Sequence, residues 1–154
     1  MIIMEVKRKK KNVFVEGAIG SDRIAKMIDN HHSKMDIGAH NIFLGQVRAD
    51  QIDGKKVVAI EYSAYEELVK IEADKIKETV LSEFNDANTI DIVHSRGIVK
   101  AGEVSLIVIV TAGHRHHAIS ACSKTLELIK EKLPVWKKEI FDDQSHEWKQ
   151  NTPH

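Results

Sequence analysis

The side chains in this chain that could do chemistry are basic groups and imidazoles rather than thiols. Cys122 is the only cysteine among 154 residues, so no intrachain disulfide can form. It lies among Ala118, Ile119 and Leu126 at helical spacing, the setting of a small buried hydrophobe. The nine histidines include His31-His32 and the run His114-Arg115-His116-His117. Such density raises a histidine-based metal site as one reading, but neither cysteine pairs nor a His-Glu-x-x-His spacing accompany it. His116 and His117 also diverge around a helix, which weakens them as joint ligands. Arg48 presents a planar fork suited to phosphate oxygens. His114 and Arg115 follow an apolar run and stand where a helix opens. Free backbone N–H groups and the helix dipole favour an anion there.

Those groups need a scaffold, and the composition supplies one. With 42% apolar and 30% charged residues, the chain suits a single globular α+β domain of ordinary size. Basic and acidic residues balance at 23 each, which disfavours nucleic acid as a partner and leaves anion binding to local clusters. The most obvious cluster, Lys7-Arg8-Lys9-Lys10-Lys11, reads as a solvated basic arm over residues 1–12. Met1 to Val6 is too short and too soon charged for a signal peptide, and the longest apolar run, Leu106 to Val110, has the length of a buried strand. A cytoplasmic protein without membrane contact is therefore expected.

The pattern predicts a strand at Val13–Val15 and a helix capped by Ser21 with Ile24, Met27 and Ile28 inward. Asp36 to Arg48 reads as extended, followed by a turn at Asp53-Gly54 and a strand from Lys56 to Tyr62. Tyr65 to Phe84 reads as an amphipathic helix with Leu68, Val69, Ile76, Val80 and Leu81 inward. Strands follow at Thr89–Ser95 and Val104–Thr111, hairpin-like around Gly97 to Gly102. A second long helix, Arg115 to Lys132, is stopped by Pro134, and a last extended piece covers Val135 to Phe141. The expected fold is a mixed or antiparallel sheet with two long packed helices, ending in a mobile tail over residues 142–154.

Four segments carry a resemblance. They are Gly38-Ala39 with Phe43-Leu44-Gly45-Gln46-Val47-Arg48; Glu61-Tyr62-Ser63-Ala64-Tyr65; His114-Arg115; and Lys130 followed by Pro134-Val135-Trp136-Lys137-Lys138-Glu139. In order, over roughly Gly38 to Trp148, they resemble the large, catalytic subunit of molybdopterin synthase, with its α/β hammerhead. Two departures stand out. The family's His-Arg-x-Gly is His94-Ser95-Arg96-Gly97 here, and its Asp-Gly-Ser-x-x-Trp is Asp143-Gln144-Ser145-His146-Glu147-Trp148, without the glycine.

The resemblance implies conversion of cyclic pyranopterin monophosphate (precursor Z) to molybdopterin. Two sulfurs would arrive as the thiocarboxylate at the C-terminal glycine of a small ubiquitin-like partner subunit. No cofactor is called for, and Cys122 is not expected to carry the sulfur. Both reactants are anionic, so a site rich in Arg and Lys suits positioning and charge stabilisation. Lys130 and Lys137 are the candidates for the chemistry, as nucleophile or as general base, because close cations lower a lysine's pKa. Arg48, His114 and Arg115 are candidates for anion binding. The resemblance adds Phe43, Gln46, Val47, Lys138 and Glu139 to the pocket. If Arg115 and Lys130 share one helix, 15 steps separate them by about 22 Å, much further than a pterin monophosphate spans. A homodimer, flanked by two small subunits in a heterotetramer, would bring both to one pocket. A non-catalytic dimeric binding module on the same fold is the remaining alternative.

Overall fold

The structure, a computed structural model, describes residues 13–150; the basic arm expected over residues 1–12 lies outside the described residues, as do residues 151–154. In chain order the elements are β1 (Phe14–Glu16), α1 (Ser21–Asp29), β2 (Ala39–Gln46), β3 (Gln51–Ile52), β4 (Lys55–Ala64), α2 (Glu66–Glu83), β5 (Ala87–Lys100), β6 (Val104–Ala112), α3 (Arg115–Lys132), β7 (Val135–Phe141) and β8 (His146–Gln150). The sheet runs β2-β6-β5-β4-β7-β8, with β3 paired to β4 and β1 lying parallel to β5. All other ladders are antiparallel. The α+β class and the mixed sheet match expectation. No described helix is long and apolar enough to cross a membrane.

The uninterrupted apolar run of β6 is explained by cover on both of its faces. Leu106, Val108 and Val110 face α2 and α3, meeting Val69, Ala73, Ile76 and Val80 from the first helix and Ala121, Leu128 and Ile129 from the second. Ile107 and Ile109 face the other way, against Ile19 and Met27 at α1. Each such side chain contributes about 1.5–3 kcal/mol through burial. α2 differs from its sequence reading, since Leu68 and Leu81 are exposed. They lie about 110° to either side of the stripe 69-73-76-80 at 100° per residue, and Ala73 takes the contact position instead. Ser21 is likewise the first residue of α1 and not its cap. Gly20 occupies the cap with extended backbone and no side-chain bond.

β5 is shared by two halves of the sheet. Ala87 to His94 pairs with β6, and Gly97 to Lys100 pairs with β4. The hand-over needs Gly97, whose φ is +82° and where a Cβ would come within 2.5 Å of a Glu16 carboxylate oxygen. The β3–β4 turn places Asp53 and Gly54 both at positive φ, as a tight hairpin requires.

The expected tail is corrected over its first part: residues 146–150 form β8, fully paired with β7. Lys149 bonds Glu139 at 2.7 Å and Trp148 lies under the Lys138 ammonium, 5.1 Å away, which holds an otherwise polar edge strand in place. The turn into β8 puts Gln144 at φ +69°, at the position where the resembling motif has glycine. A side chain in this left-handed region costs about 1–2 kcal/mol. Gln144→Gly is therefore expected to raise stability by about 1 kcal/mol, read as a higher urea midpoint at unchanged slope. An unmoved midpoint would show that glutamine is accommodated there without cost.

Candidate active site

Where β2 ends and β7 begins, the sheet and the last turn of α3 enclose a cleft of about 490 Å³. Phe43, Gln46, Val47 and Arg48 form one wall, Lys130 enters from α3, and Lys137 and Glu139 come from β7. α3 delivers Lys130 because it runs unbroken to Lys132, where Pro134 prevents a further turn and the chain re-enters the sheet directly as β7. Only six residues thus separate two lysines that face each other across a sharp corner. Strand alternation sends Lys137 and Glu139 into the cleft and Lys138 to the opposite face. There Lys138 pairs with Glu61 at 3.1 Å and is absent from the lining, so the structure does not support its expected place in the pocket.

The electrostatics centre on Lys137. Burial pushes its pKa down to about 8, helped by the charge of Lys130 and a side-chain hydrogen bond between the two amines. Glu139 opposes this shift and Lys149 adds to it. At pH 7 about a tenth of such an amine is neutral. Arg48, its side chain 83% exposed, pairs with Asp50 at 3.3 Å. An ion pair that open is worth little, so the guanidinium is available to a ligand.

Sequence reasoning missed the floor of the cleft. Tyr62, His94 and Ser105 line it from β4, β5 and β6, and β8 adds Lys149 and Gln150. The Tyr62 hydroxyl donates to Ser105 Oγ at 3.0 Å, and burial pushes the phenol pKa up. His94 Nδ1–H donates to the Ser95 carbonyl at 2.7 Å, leaving Nε2 as an acceptor. Burial drives its pKa down to about 4, with Lys137 and Lys130 adding to the effect against the Ser95 bond. Tyr62 and His94 stood inside the quoted motifs, but no local signal marks them as floor residues.

His114 and Arg115 lie at the other end of α3 and do not line this cleft. Asp86 anchors that end: its carboxylate accepts the His114 backbone N–H at 2.8 Å and contacts the His114 and His117 rings at 3.2 and 3.1 Å. Gly38 allows β2 to start close by, since a Cβ there would lie 2.2 Å from the Gly113 carbonyl. His31 instead pairs with Asp91 at 3.2 Å. Among the described residues no three His, Cys, Asp or Glu side chains gather where they could hold a metal. The metal reading is not favoured.

An α+β domain with paired lysines in a cleft and an arginine at its rim has the positive charge that holding a small anion requires. A family model described as MoaE protein matches residues 16–132, and the chain belongs to this family. It is 40% identical over 116 residues to a molybdopterin synthase catalytic subunit of Dictyostelium discoideum, covering 74% of this chain and 73% of that protein. Against the corresponding Drosophila grimshawi protein it is 37% identical over 115 residues, spanning 32% of that longer chain and 74% of this one. The X-ray structure of molybdopterin synthase from Staphylococcus aureus superposes with a TM-score of 0.78 at 26% identity, covering 92% of this chain and 98% of that one. A Helicobacter pylori complex of subunits 1 and 2 of molybdopterin-converting factor shares the fold, with a TM-score of 0.74 at 20% identity over 92% of this chain and 91% of that one.

His94 is expected to stay neutral, as the Nδ1–H tautomer, between pH 5.5 and 8. Imidazole ¹⁵N NMR measures this directly, and a His94 titration near the usual histidine value would contradict the buried, lysine-flanked setting.

Proposed function

We propose that the cleft is the sulfur-transfer site of a molybdopterin synthase catalytic subunit, acting on cyclic pyranopterin monophosphate. The observation that carries this reading is the Lys130–Lys137 pair inside a cleft whose rim holds an exposed guanidinium, engaged through an open ion pair with Asp50. Arg48 meets the substrate phosphate through a charge-assisted fork. The lysine pair receives the anionic tail of the small partner subunit. One amine is the neutral base or nucleophile, and its protonated neighbour stabilises the charge that develops on the acyl group. Each thiocarboxylate sulfur forms a C–S bond in place of a C–O bond of the pterin side chain, whose oxygen departs, and water hydrolyses the acyl–sulfur bond so that the tail ends as a carboxylate. Cys122 takes no part: it is buried in the core, and burial pushes its pKa up to about 11.

The partner reading draws support from the Helicobacter pylori complex of two subunits. A homodimer within a heterotetramer, working in the cytoplasm, completes the proposal. In it, a second copy contributes His114 and Arg115 to the cleft, because α3 is about 27 Å long and its two ends cannot serve one small substrate from the same copy.

Purified protein mixed with a thiocarboxylated small subunit and precursor Z should yield the dithiolene product; failure to form it would refute the assignment. Lys130→Ala is expected to lower turnover by about a hundredfold or more without loss of fold, and normal turnover would remove Lys130 from the mechanism. Arg48→Ala should raise KM by about tenfold, the loss of one charge-assisted contact, with a smaller change in kcat. Cys122→Ser is expected to remain active, and a folded but dead variant would mean that the thiol carries sulfur after all.

A further inference from the structure

Strand β8 brings a further lysine to the cleft by a route that strand pairing alone would oppose. Lys149 stands directly opposite Lys137 in the β7–β8 ladder, and both line the cleft. Like charges directly opposite one another destabilise a sheet. The offset comes diagonally from Glu139, whose carboxylate, 13% exposed, accepts the Lys149 ammonium at 2.7 Å. Glu139 lies two residues from Lys137 on the same face of β7, so it has two lysines within its reach and is bound to the outer one.

We propose that Lys149 is a positioning residue of the reaction: it holds the Glu139 carboxylate and leaves the Lys130–Lys137 pair facing the ligand without a carboxylate partner. This inference rests on the sulfur-transfer reading and deepens it. Nothing in the four resembling segments contains Lys149; it enters the cleft only because residues 146–150 pair with β7.

The physical consequence follows from the charges around Lys137. Glu139 favours its protonated form, whereas Lys130 and Lys149 disfavour it. Arg48, Asp50, Tyr62 and His94 are the remaining charged or titratable groups that line the cleft, and Asp50 is paired with Arg48 at 3.3 Å. His94 stays neutral and Tyr62 protonated through the pH range in which Lys137 titrates. Removing Lys149 takes away one repulsive charge and releases Glu139 to pair with Lys137. Both changes act in the same direction, toward a lysine held as a cation and less able to act as base or nucleophile.

The test is a titration of Lys137 by ¹³Cε NMR in the full chain, assigned through Lys137→Arg, with the wild type compared to Lys149→Ala, Lys149→Arg, Glu139→Gln and the Lys149→Ala/Glu139→Gln double variant. In Lys149→Ala the midpoint is expected to rise by at least about half a unit, roughly a threefold loss of neutral amine at pH 7. The double variant should return toward the wild-type midpoint, Lys149→Arg should match it, and Glu139→Gln alone, which keeps β8 intact, should lower it. The acidic limb of the kcat profile should move with the midpoint while KM changes little. An unmoved midpoint in folded Lys149→Ala, or a rise in Glu139→Gln, overturns the proposal. Because the titration needs no substrate, a wild type that forms no dithiolene product would sink the sulfur-transfer reading alone, and the midpoints would still decide what Lys149 does.

Discussion

Two ammonium groups held side by side in a half-buried cleft repel each other, which makes the proton of one easier to lose. The contact between Lys130 and Lys137 therefore dictates much of what surrounds it. Bringing the two together requires a helix that ends where a strand begins, and Pro134 makes that corner. Keeping them together requires partial burial, which Val47, Tyr62 and Leu106 supply, and a central strand beneath them that adds no positive charge. His94 meets the last condition, since its burial and its fixed tautomer keep the ring neutral beside the lysines.

The rest of the molecule is arranged to hold this corner still. β6 is buried on both faces and β5 pairs along its whole length, so the strands that present His94 and Ser105 are the least free to move. The more exposed charges sit on the periphery, where Arg48 follows the end of β2 and Lys149 rides on the edge strand β8. Rigid residues define the lysines' surroundings, and the charges at the mouth lie on the less constrained parts of the fold.

Legibility in the sequence followed locality. α3 and β7 appear at their predicted boundaries because an amphipathic period, an apolar run and a proline are local signals. β8 was invisible: His146 to Gln150 is polar at nearly every position, and only its ladder to β7 and the contacts of Trp148 and Lys149 make it a strand. Lys138 illustrates a different gap. Resemblance carries over a residue's identity but not the side of the strand it faces, and the alternation along β7 separates it from Lys137. Tyr62, His94 and Ser105 come from three strands, so their convergence depends on register, which no stretch of sequence encodes by itself. The far end of α3 was placed correctly as a helix start, yet its separation from the cleft leaves His114 and Arg115 to the proposed second copy.

The shared strand has a mechanical consequence. Arg48 belongs to the half of the sheet built from β2, β6 and the first part of β5, and Lys137 belongs to the half built from the last part of β5, β4, β7 and β8. Any widening of the gap between those halves is a torsion of one continuous backbone around Ser95 to Gly97, where the only freely twisting residue is a glycine. In the proposed complex, an anion held between the arginine on one leaf and the lysine on the other is a staple across that torsion, set apart from the glycine that permits it.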